Sequence, residues 1–370
     1  MGGLKQAPAT AWRDLLTQVP RSAFIPEVAV IGPVMDDPAS WIDQRRDPEG
    51  WWRAVHSDIA IATQLDDGTT DLKNKTAVDP AAVATSSCSA PHLVAAMLDL
   101  LDAQPGNRVL EIGTGTGWTA GLLAHRVGDA CVISIEIDPR VADQAIANLR
   151  AAGRGGVRVL VGDGELGWAT GAPYDRVHVT AGAARVPYAW VEQTRPGGVV
   201  VLPWMPGWES GYLVRLTVAD DGTASGRLGE RCGFMPLRQQ RTPPQPIEGE
   251  ERTSHTTVVP RELATAGEGF AAAVAGLMPG VHGGGFDNAD GSFRMTLRHG
   301  DSHALAIHHP GAENAMVEQT GPRNLWDELV TAYRRWTDWG RPSKDRFGLR
   351  VTNQGVQVWL DGPDTPVEEL

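Results

Sequence analysis

The sequence predicts an α/β protein: a doubly wound, mostly parallel sheet with an antiparallel edge hairpin, followed by a smaller α+β domain. Three observations predict this architecture. Short β-branched runs alternate with helical patterns, which is typical of βαβ units. Two strand-like runs then flank Asp221-Gly222 with no helix between them. A polar segment rich in proline and glutamate precedes a second set of helices and strands.

The strand-like runs of the parallel sheet cover residues 108–113, 131–137, 157–163, 175–181 and 198–204, and the hairpin falls within residues 212–237. Apolar residues at helical spacing predict helices before and between the first three runs. The chain of 370 residues is long enough for about two domains. We predict an N-terminal segment packing on the core (1–76), the ligand-binding domain (77–237), a linker (238–256) and the C-terminal α+β domain (257–370).

Composition excludes several classes of protein. The net charge of -12 would repel a phosphate backbone, so we expect no nucleic-acid partner. No apolar run is long enough to span a membrane and no signal peptide is evident, so we expect no membrane partner and a cytoplasmic location. The three cysteines form no C-x-x-C pair, and the histidines between residues 299 and 309 are more typical of a polar sheet face than of a metal site.

The strongest motif is Leu-Glu-Ile-Gly-Thr-Gly-Thr-Gly-Trp at residues 110–118, between a predicted strand and a predicted helix. Gly113, Gly115 and Gly117 permit a tight turn that brings backbone N–H groups close to a ligand at the helix N-terminus. Glu136 ends the next strand about twenty residues further on, where a carboxylate can accept hydrogen bonds from a ribose diol. The motif therefore predicts a nucleoside-containing ligand.

The glycine spacing is G-x-G-x-G preceded by Glu111, whereas a dehydrogenase-type dinucleotide site normally has G-x-G-x-x-G. Asp163 follows the third strand, where it can meet an adenine amino group. Together these motifs resemble the class I methyltransferases, whose Rossmann-like sheet binds S-adenosyl-L-methionine and releases S-adenosyl-L-homocysteine. The resemblance implies a set of cofactor-binding residues: Ser87, His92, Glu111, Gly113, Thr114, Gly115, Gly117, Trp118, Glu136, Ile137, Asp163 and Gly164.

Residues 86–101 and 161–204 are similar to the protein-L-isoaspartate O-methyltransferases, and the resemblance covers roughly residues 10–237. That family has a Thr-Ile-Ser-x-Pro segment before the glycine motif, and Ser87-Cys88-Ser89-Ala90-Pro91 stands in its place. The resemblance implies that Ser89 contacts the reacting carboxylate as the catalytic residue. It also implies that the loop with His92 closes over the cofactor, and that the backbone at Thr180, Ala181 and Gly182 holds the peptide substrate.

The chain departs from the family pattern at Ser87 and Cys88, in a longer segment before residue 86, and in its C-terminal extension. With its extension, the sequence resembles longer homologues that tailor lanthipeptides, lasso peptides and graspetides. This implies methylation of an L-Asp side chain in a modified ribosomal peptide, followed by collapse of the ester to an aspartimide. The alternatives are an isoaspartyl repair methyltransferase with an accessory domain and a non-catalytic cofactor-binding partner. The sequence leaves open which peptide and which Asp are involved and whether the C-terminal domain binds substrate, and it assigns no oligomeric state.

Overall fold

The computed structural model describes residues 15–32, 40–73, 81–208, 211–241, 246–247 and 249–370. The chain divides into two compact units, the first made of residues 1–181 and 189–202 and the second of residues 182–188 and 203–370. The division therefore falls between residues 202 and 203, inside a strand, and the segment 238–256 that we expected to be a linker lies within the second unit.

The first unit contains a parallel sheet in the order β9-β8-β5-β6-β7. The central strand β5 is completely buried, and its Ile112 pairs with Ile135 of β6 on one side and Val179 of β8 on the other. Continuous apolar runs are what a sheet covered on both faces requires. The five strands are β5 (Val109–Ile112), β6 (Val132–Glu136), β7 (Arg158–Val161), β8 (Tyr174–Val179) and β9 (Thr194–Trp204), each overlapping a predicted run.

Helices lie before and between these strands, and several begin with recognisable signals. Pro91 and Pro139 occupy the first turn of their helices, and the Asp138 side chain accepts from the N–H groups of Arg140 and Val141. Amphipathic patterning places Leu149 in the core. The helices are α1 (Pro48–Val55), α2 (Pro91–Leu101), α3 (Trp118–Val127), α4 (Pro139–Ala151) and α5 (Tyr188–Glu192).

The N-terminal part of the first unit forms a small antiparallel sheet in the order β2-β1-β3-β4. Its core includes Val30, Ala62 and Leu65. The last of its strands, β4, ends at Cys88 and thereby places residues 87–89 directly before helix α2. The strands are β1 (Val28–Ile31), β2 (Ser40–Asp43), β3 (Ile61–Leu65) and β4 (Ala84–Cys88).

The second unit begins with the predicted antiparallel hairpin of β10 (Gly211–Val218) and β11 (Ala224–Cys232). The C-terminal hairpin of β17 (Phe347–Thr352) and β18 (Gly355–Leu360) extends this sheet, since Ser225 of β11 pairs with Arg350 of β17. Residues more than a hundred positions apart thus share one antiparallel ladder. The pairing joins the hairpin to strands that sequence reasoning assigned to a separate fold.

A five-stranded antiparallel sheet in the order β12-β16-β15-β14-β13 forms the rest of the second unit, with three helices. Residues 260–277 form two helices rather than one, because Gly267 with φ of +93° interrupts the helical backbone. None of the helices in the described ranges is long and apolar enough to cross a bilayer. The elements are β12 (Arg252–Thr256), α6 (Pro260–Ala264), α7 (Glu268–Leu277), β13 (His282–Asp287), β14 (Phe293–His299), β15 (Ser302–His308), β16 (Ala315–Thr320) and α8 (Leu325–Asp338).

Candidate active site

The glycine loop joins β5 to α3 and takes the conformation that its sequence requires. Gly113, Gly115 and Gly117 have φ of +92°, +54° and +85°, a region that other residues rarely adopt. A Cβ on Gly113 would lie 2.7 Å from the Thr180 Oγ1 atom, and one on Gly115 would lie 3.3 Å from the Ser87 carbonyl oxygen. The structure therefore brings the loop close to Ser87 of β4 and to Thr180, which directly follows β8.

Glu136 ends β6 with its carboxylate beside the loop. The Gly115 N–H donates to Oε2 over 2.9 Å, and the Asp138 N–H donates to Oε1 over 3.1 Å. Each carboxylate oxygen has a further lone pair, so Glu136 can still accept from the two hydroxyls of a ribose. Gly117 immediately precedes the first residue of α3, whose N-terminus faces the same turn. This arrangement fits the nucleoside part of S-adenosylmethionine.

Asp163 and Gly164 follow β7, the strand next to β6. The Asp163 Oδ1 atom accepts from the Glu165 N–H over 2.9 Å, which fixes the turn. Gly164 is buried, and a Cβ there would lie 2.5 Å from Ile112 Cγ2, so only glycine lets this turn approach β5. Ile137 is half-buried directly after β6. Since the carboxyl ends of parallel strands meet at one edge, these residues lie at the same edge as the glycine loop.

Trp118 and His92 are held by groups that sequence reasoning did not consider. Trp118 is 3% exposed and its Nε1–H donates to the Val19 carbonyl over 3.0 Å. Its ring therefore anchors the N-terminal segment of the first unit. His92 is exposed, and both its N–H and its Nδ1 atom lie 2.9 Å from Asp58 Oδ1. Asp58 thus fixes the first turn of α2.

Arg21 is the residue of the site that sequence reasoning missed. Its side chain is 6% exposed, and its guanidinium lies over the Trp118 ring at 5.5 Å. Nothing in the sequence distinguishes a buried arginine from an exposed one. The two terminal nitrogens donate to five carbonyl oxygens, those of Val55, Ser57, Ile59, Cys88 and Ser89.

Ser89 lies between β4 and α2 and is half-buried. Arg21 Nη2 donates to its carbonyl over 3.0 Å, which fixes the backbone. The Ser89 hydroxyl makes no hydrogen bond within the part of the chain that the structure describes. The hydroxyl is therefore free to donate to a carboxylate, whereas the serine backbone is held in place.

The predicted peptide-holding backbone falls into both compact units. Thr180 directly follows β8, and its hydroxyl and N–H both donate to the Ile112 carbonyl, over 3.0 and 2.9 Å. Ala181 is the next residue of the first unit. Gly182 belongs to the second unit, where its N–H donates to Met235 over 2.7 Å and its carbonyl accepts from Leu237 over 2.9 Å. The N–H group of Gly182 is thus already used inside that unit.

Glu111 reaches the glycine loop through two hydroxyls. Its side chain is completely buried, and Ser134 Oγ donates to its Oε2 over 2.5 Å. The Ser134 Oγ atom is also 2.6 Å from Thr114 Oγ1, which belongs to the loop. Glu111 therefore helps to position the glycine loop indirectly, through Ser134, and Thr114 is the loop residue that Ser134 contacts.

His178 on β8 faces Glu111, and both side chains are buried. Burial raises the pKa of Glu111 to about 8 and lowers the pKa of His178 to about 4, because the interior disfavours both charged forms. Glu111 Oε1 and His178 Nδ1 are 4.0 Å apart, too far for a hydrogen bond. We therefore assign both groups as neutral at pH 7.

This assignment predicts an unusual dependence of stability on pH. Between pH 6.5 and 8 the folded state keeps the Glu111 proton that the unfolded state has lost, so stability falls as the pH rises, by about 1.4 kcal/mol per unit. Below pH 6.5 the opposite slope from His178 offsets this. In urea unfolding between pH 6.5 and 8, Glu111→Gln should flatten the slope. His178→Asn should retain it, and equal slopes in wild type and Glu111→Gln would contradict the assignment.

The described residues contain no group of three or more histidine, cysteine or acidic side chains placed to hold a metal ion. The parallel sheet, the glycine loop and the Glu136 carboxylate at the end of β6 together define a class I methyltransferase. Its methyl donor is S-adenosyl-L-methionine, which the loop and Glu136 would hold.

Comparisons with known proteins identify the family. The model of the protein-L-isoaspartate(D-aspartate) O-methyltransferase family matches residues 71–242. A protein-L-isoaspartate O-methyltransferase of Methanopyrus kandleri is 43% identical over 172 residues, 45% of this chain and 75% of that protein. One from Pyrococcus horikoshii is 48% identical over 155 residues, 42% of this chain and 70% of that protein. The chain belongs to this family, and it is a protein carboxyl O-methyltransferase.

A solved structure described as a protein-L-isoaspartate O-methyltransferase has the same fold. The superposition covers 96% of this chain and 96% of the chain in that structure, with a TM-score of 0.53 and 20% sequence identity. The similarity therefore extends over the region after residue 242 that the family model does not match.

Proposed function

We propose that this enzyme methylates an aspartyl side-chain carboxylate of a peptide, and that the Ser89 hydroxyl holds the accepting carboxylate. The observation that carries the proposal is the placement of Ser89. Its backbone is fixed by Arg21, its hydroxyl has no partner within the described ranges, and Ser87 of the same segment borders the glycine loop. A hydroxyl donor beside a cofactor loop is suited to orienting an anionic oxygen.

The chemistry requires orientation more than proton transfer. An aspartate side chain has a pKa near 3.9, so it is ionised at pH 7 and needs no general base. The cofactor, when bound, supplies an electrophilic methyl group on a sulfonium. The residues of this chain hold the two reactants in line, and such positioning can contribute about 7–11 kcal/mol to the rate. Ser89 orients the carboxylate, while the Gly115 region and Glu136 fix the nucleoside.

We further propose that the accepting residue is an L-Asp in a modified ribosomal peptide, and that the reaction is cytoplasmic. The backbone nitrogen of the next residue attacks the ester carbonyl, its proton leaves with the methoxy group as methanol, and an aspartimide remains. The final product is lighter than the unmethylated peptide by one water. The departures from the family segment at Ser87 and Cys88, together with the resemblance to longer peptide-tailoring homologues, support this choice.

Isoaspartyl repair is the second candidate, and two observations favour it. Relatives named for isoaspartate methylation are 43% and 48% identical. A structure with that name also covers 96% of this chain, so the C-terminal region alone does not distinguish tailoring from repair. A non-catalytic cofactor-binding partner is less well supported, because the glycine loop, Glu136 and Ser89 are all retained.

Intact mass spectrometry after incubation with S-adenosylmethionine separates these functions. The substrates are a generic isoaspartyl peptide, its L-Asp isomer, and the modified and unmodified forms of the peptide encoded beside the gene. Methylation and then loss of methanol on the modified peptide alone supports tailoring. Labelling of the isoaspartyl peptide alone establishes repair. No labelling of any peptide, with cofactor bound, points to the non-catalytic partner.

Ser89→Ala should lower kcat/KM for the peptide by about ten- to a hundredfold, since a hydrogen bond to a charged group contributes about 1.5–3 kcal/mol. Steady-state kinetics measure this, and calorimetric titration of S-adenosylhomocysteine should show unchanged cofactor affinity. Ser225→Ala is the matched control, because Ser225 is also half-buried but lies on β11. An unchanged kcat/KM in Ser89→Ala would show that the Ser89 hydroxyl does not orient the accepting carboxylate.

A further inference from the structure

An aspartate–histidine pair lies close to Ser89, and methyl transfer does not use it. Asp58 Oδ1 lies 2.9 Å from His92 Nδ1 and accepts from the His92 N–H over the same distance. One carboxylate oxygen therefore fixes both the first turn of α2 and the orientation of the imidazole ring. Because the accepting carboxylate of the substrate is already ionised, methylation leaves this histidine without a task.

Arg21 joins the segment that carries Asp58 to the segment that carries Ser89. Its Nη2 atom donates to the carbonyls of Ile59 and Ser89, over 2.7 and 3.0 Å. The Ser57 carbonyl, on the other side of Asp58, accepts from Nη1 over 3.3 Å. The neighbours of Asp58 on both sides thus share one guanidinium with Ser89.

The order of residues along the second segment separates His92 from the cofactor loop. Ser87 borders the loop, since a Cβ on Gly115 would lie 3.3 Å from its carbonyl oxygen. Ser89 follows two residues later, and His92 follows three residues after that, in the first turn of α2. The pair therefore lies beyond Ser89, on the side of the segment away from its contact with the loop.

The contact with Asp58 determines which ring nitrogen of His92 can act as a base. An ionised carboxylate only accepts hydrogen bonds, so Nδ1 carries the hydrogen atom of this contact. The Nε2 atom of the neutral ring then has a lone pair, and it has no hydrogen-bond partner among the described residues. The His92 side chain is 48% exposed, which leaves the ring accessible to a bound peptide. Histidine held in this way is the side chain most often used as a general base.

The step that follows methylation can use such a base. The backbone nitrogen of the residue after the esterified aspartate forms a bond to the ester carbonyl carbon, while its proton passes to an acceptor. The bond between that carbon and the methoxy oxygen then breaks, and the acceptor returns the proton, so that methanol leaves. A neutral imidazole can take and return this proton without any further reactant.

We propose that His92, positioned by Asp58, is the general base of this ring closure, so that the enzyme catalyses aspartimide formation as well as methyl transfer. The proposal rests on the proposed function only in requiring a bound methyl ester. Aspartyl and isoaspartyl methyl esters close to the same five-membered ring, so the role applies to tailoring and to repair. It assigns His92 to the peptide rather than to the cofactor, the role that the family resemblance implied.

Ring closure of an isolated ester tests the proposal separately from methyl transfer. The probe is the methyl ester of the peptide that the enzyme labels, isolated from an acid-quenched reaction and returned to the enzyme with S-adenosylhomocysteine. Mass spectrometry follows the loss of methanol. Wild type should accelerate closure by about a hundredfold over buffer, and His92→Gln should return the rate to within about threefold of buffer. His125→Gln, which replaces an exposed histidine on α3, is the matched control and should match wild type.

Asp58→Asn tests the positioning role. The amide oxygen can still accept from the His92 N–H, so the first turn of α2 keeps this hydrogen bond, whereas the ring loses the carboxylate that fixes its tautomer. Closure should slow by at least about tenfold. In the His92→Gln background the same change should cause no further loss, because Asp58 acts only through the ring. Circular dichroism melting of each variant shows that a loss of rate is not a loss of folding.

Three outcomes would overturn the inference: equal closure with and without wild-type enzyme, equal acceleration by wild type and His92→Gln, or acceleration of ester hydrolysis instead of ring closure. A peptide that is labelled but whose ester closes no faster with enzyme would retain methyl transfer and refute the role of His92. If no peptide is labelled, the probe is a synthetic Asp-Gly peptide that carries the β-methyl ester. Acceleration of its closure by wild type and not by His92→Gln would then retain the role of His92 without the proposed function, and no acceleration would remove both.

Discussion

Arg21→Met should lower the free energy of unfolding by about 3–5 kcal/mol and the melting temperature by roughly 10 °C. Arg21 is 6% exposed and donates to five backbone carbonyls, two of them at Cys88 and Ser89. Methionine fills similar space but leaves these oxygens without a donor, and each buried unsatisfied group costs about 1–3 kcal/mol. Thermal and urea unfolding measure the change.

The same substitution should reduce kcat at temperatures well below the transition. Since Arg21 acts through the backbone of Ser89, we expect kcat to fall by about tenfold while the affinity for S-adenosylhomocysteine changes little. Arg21→Lys keeps the charge but has one nitrogen, so it should recover only part of both losses. Arg126→Met is the control, because Arg126 is exposed and donates to the Ala103 carbonyl. A loss of stability with kcat unchanged would limit Arg21 to a structural role.

Glu136→Ala should weaken binding of S-adenosylmethionine by at least about a hundredfold. The carboxylate can accept from both ribose hydroxyls, and two hydrogen bonds to a charged group contribute about 3–6 kcal/mol together. The variant also loses the acceptor of the Gly115 N–H, which helps to shape the loop. Isothermal titration with S-adenosylhomocysteine gives the Kd directly.

Glu136→Gln separates the two contributions, since its amide oxygen can still accept one of these bonds, and its effect should be intermediate. Asp143→Ala is the matched control: it removes an exposed carboxylate from α4, a short distance along the chain. A Kd for Glu136→Ala equal to that of Asp143→Ala would exclude Glu136 from the cofactor site.

The parallel sheet was predictable because its strands carry local information. Each β-branched run from β5 to β9 is bounded by turn residues and overlaps the strand that forms. Pairing between distant segments is not encoded in this way. Apolar and polar residues alternate in the C-terminal hairpin as they do in any hairpin at the edge of a sheet. Nothing in this pattern indicates that β11 is the strand with which it pairs.

The site shows the same division. Gly113, Gly115 and Gly117 are recognisable because their spacing is fixed by one turn, and Glu136 because it ends the next strand. Arg21 and Asp58 lie far from Ser89 and His92 in sequence and meet them only in the folded chain. The burial of Glu111 could not be predicted either, since the sequence motif is the same whether the Glu111 carboxyl group faces a ligand or Ser134.

The ladder between β11 and β17 has a consequence for how the protein is made. Ser225 and Arg350 are paired across about 125 residues, so β11 leaves the ribosome long before its neighbour has been synthesised. During that interval the nascent hairpin exposes an unpaired edge to other chains. Completion of this sheet therefore waits for nearly the whole of the second unit, and contacts of such long range slow folding. A shortened chain that lacks residues 347–360 would keep this edge open permanently and would be prone to aggregate.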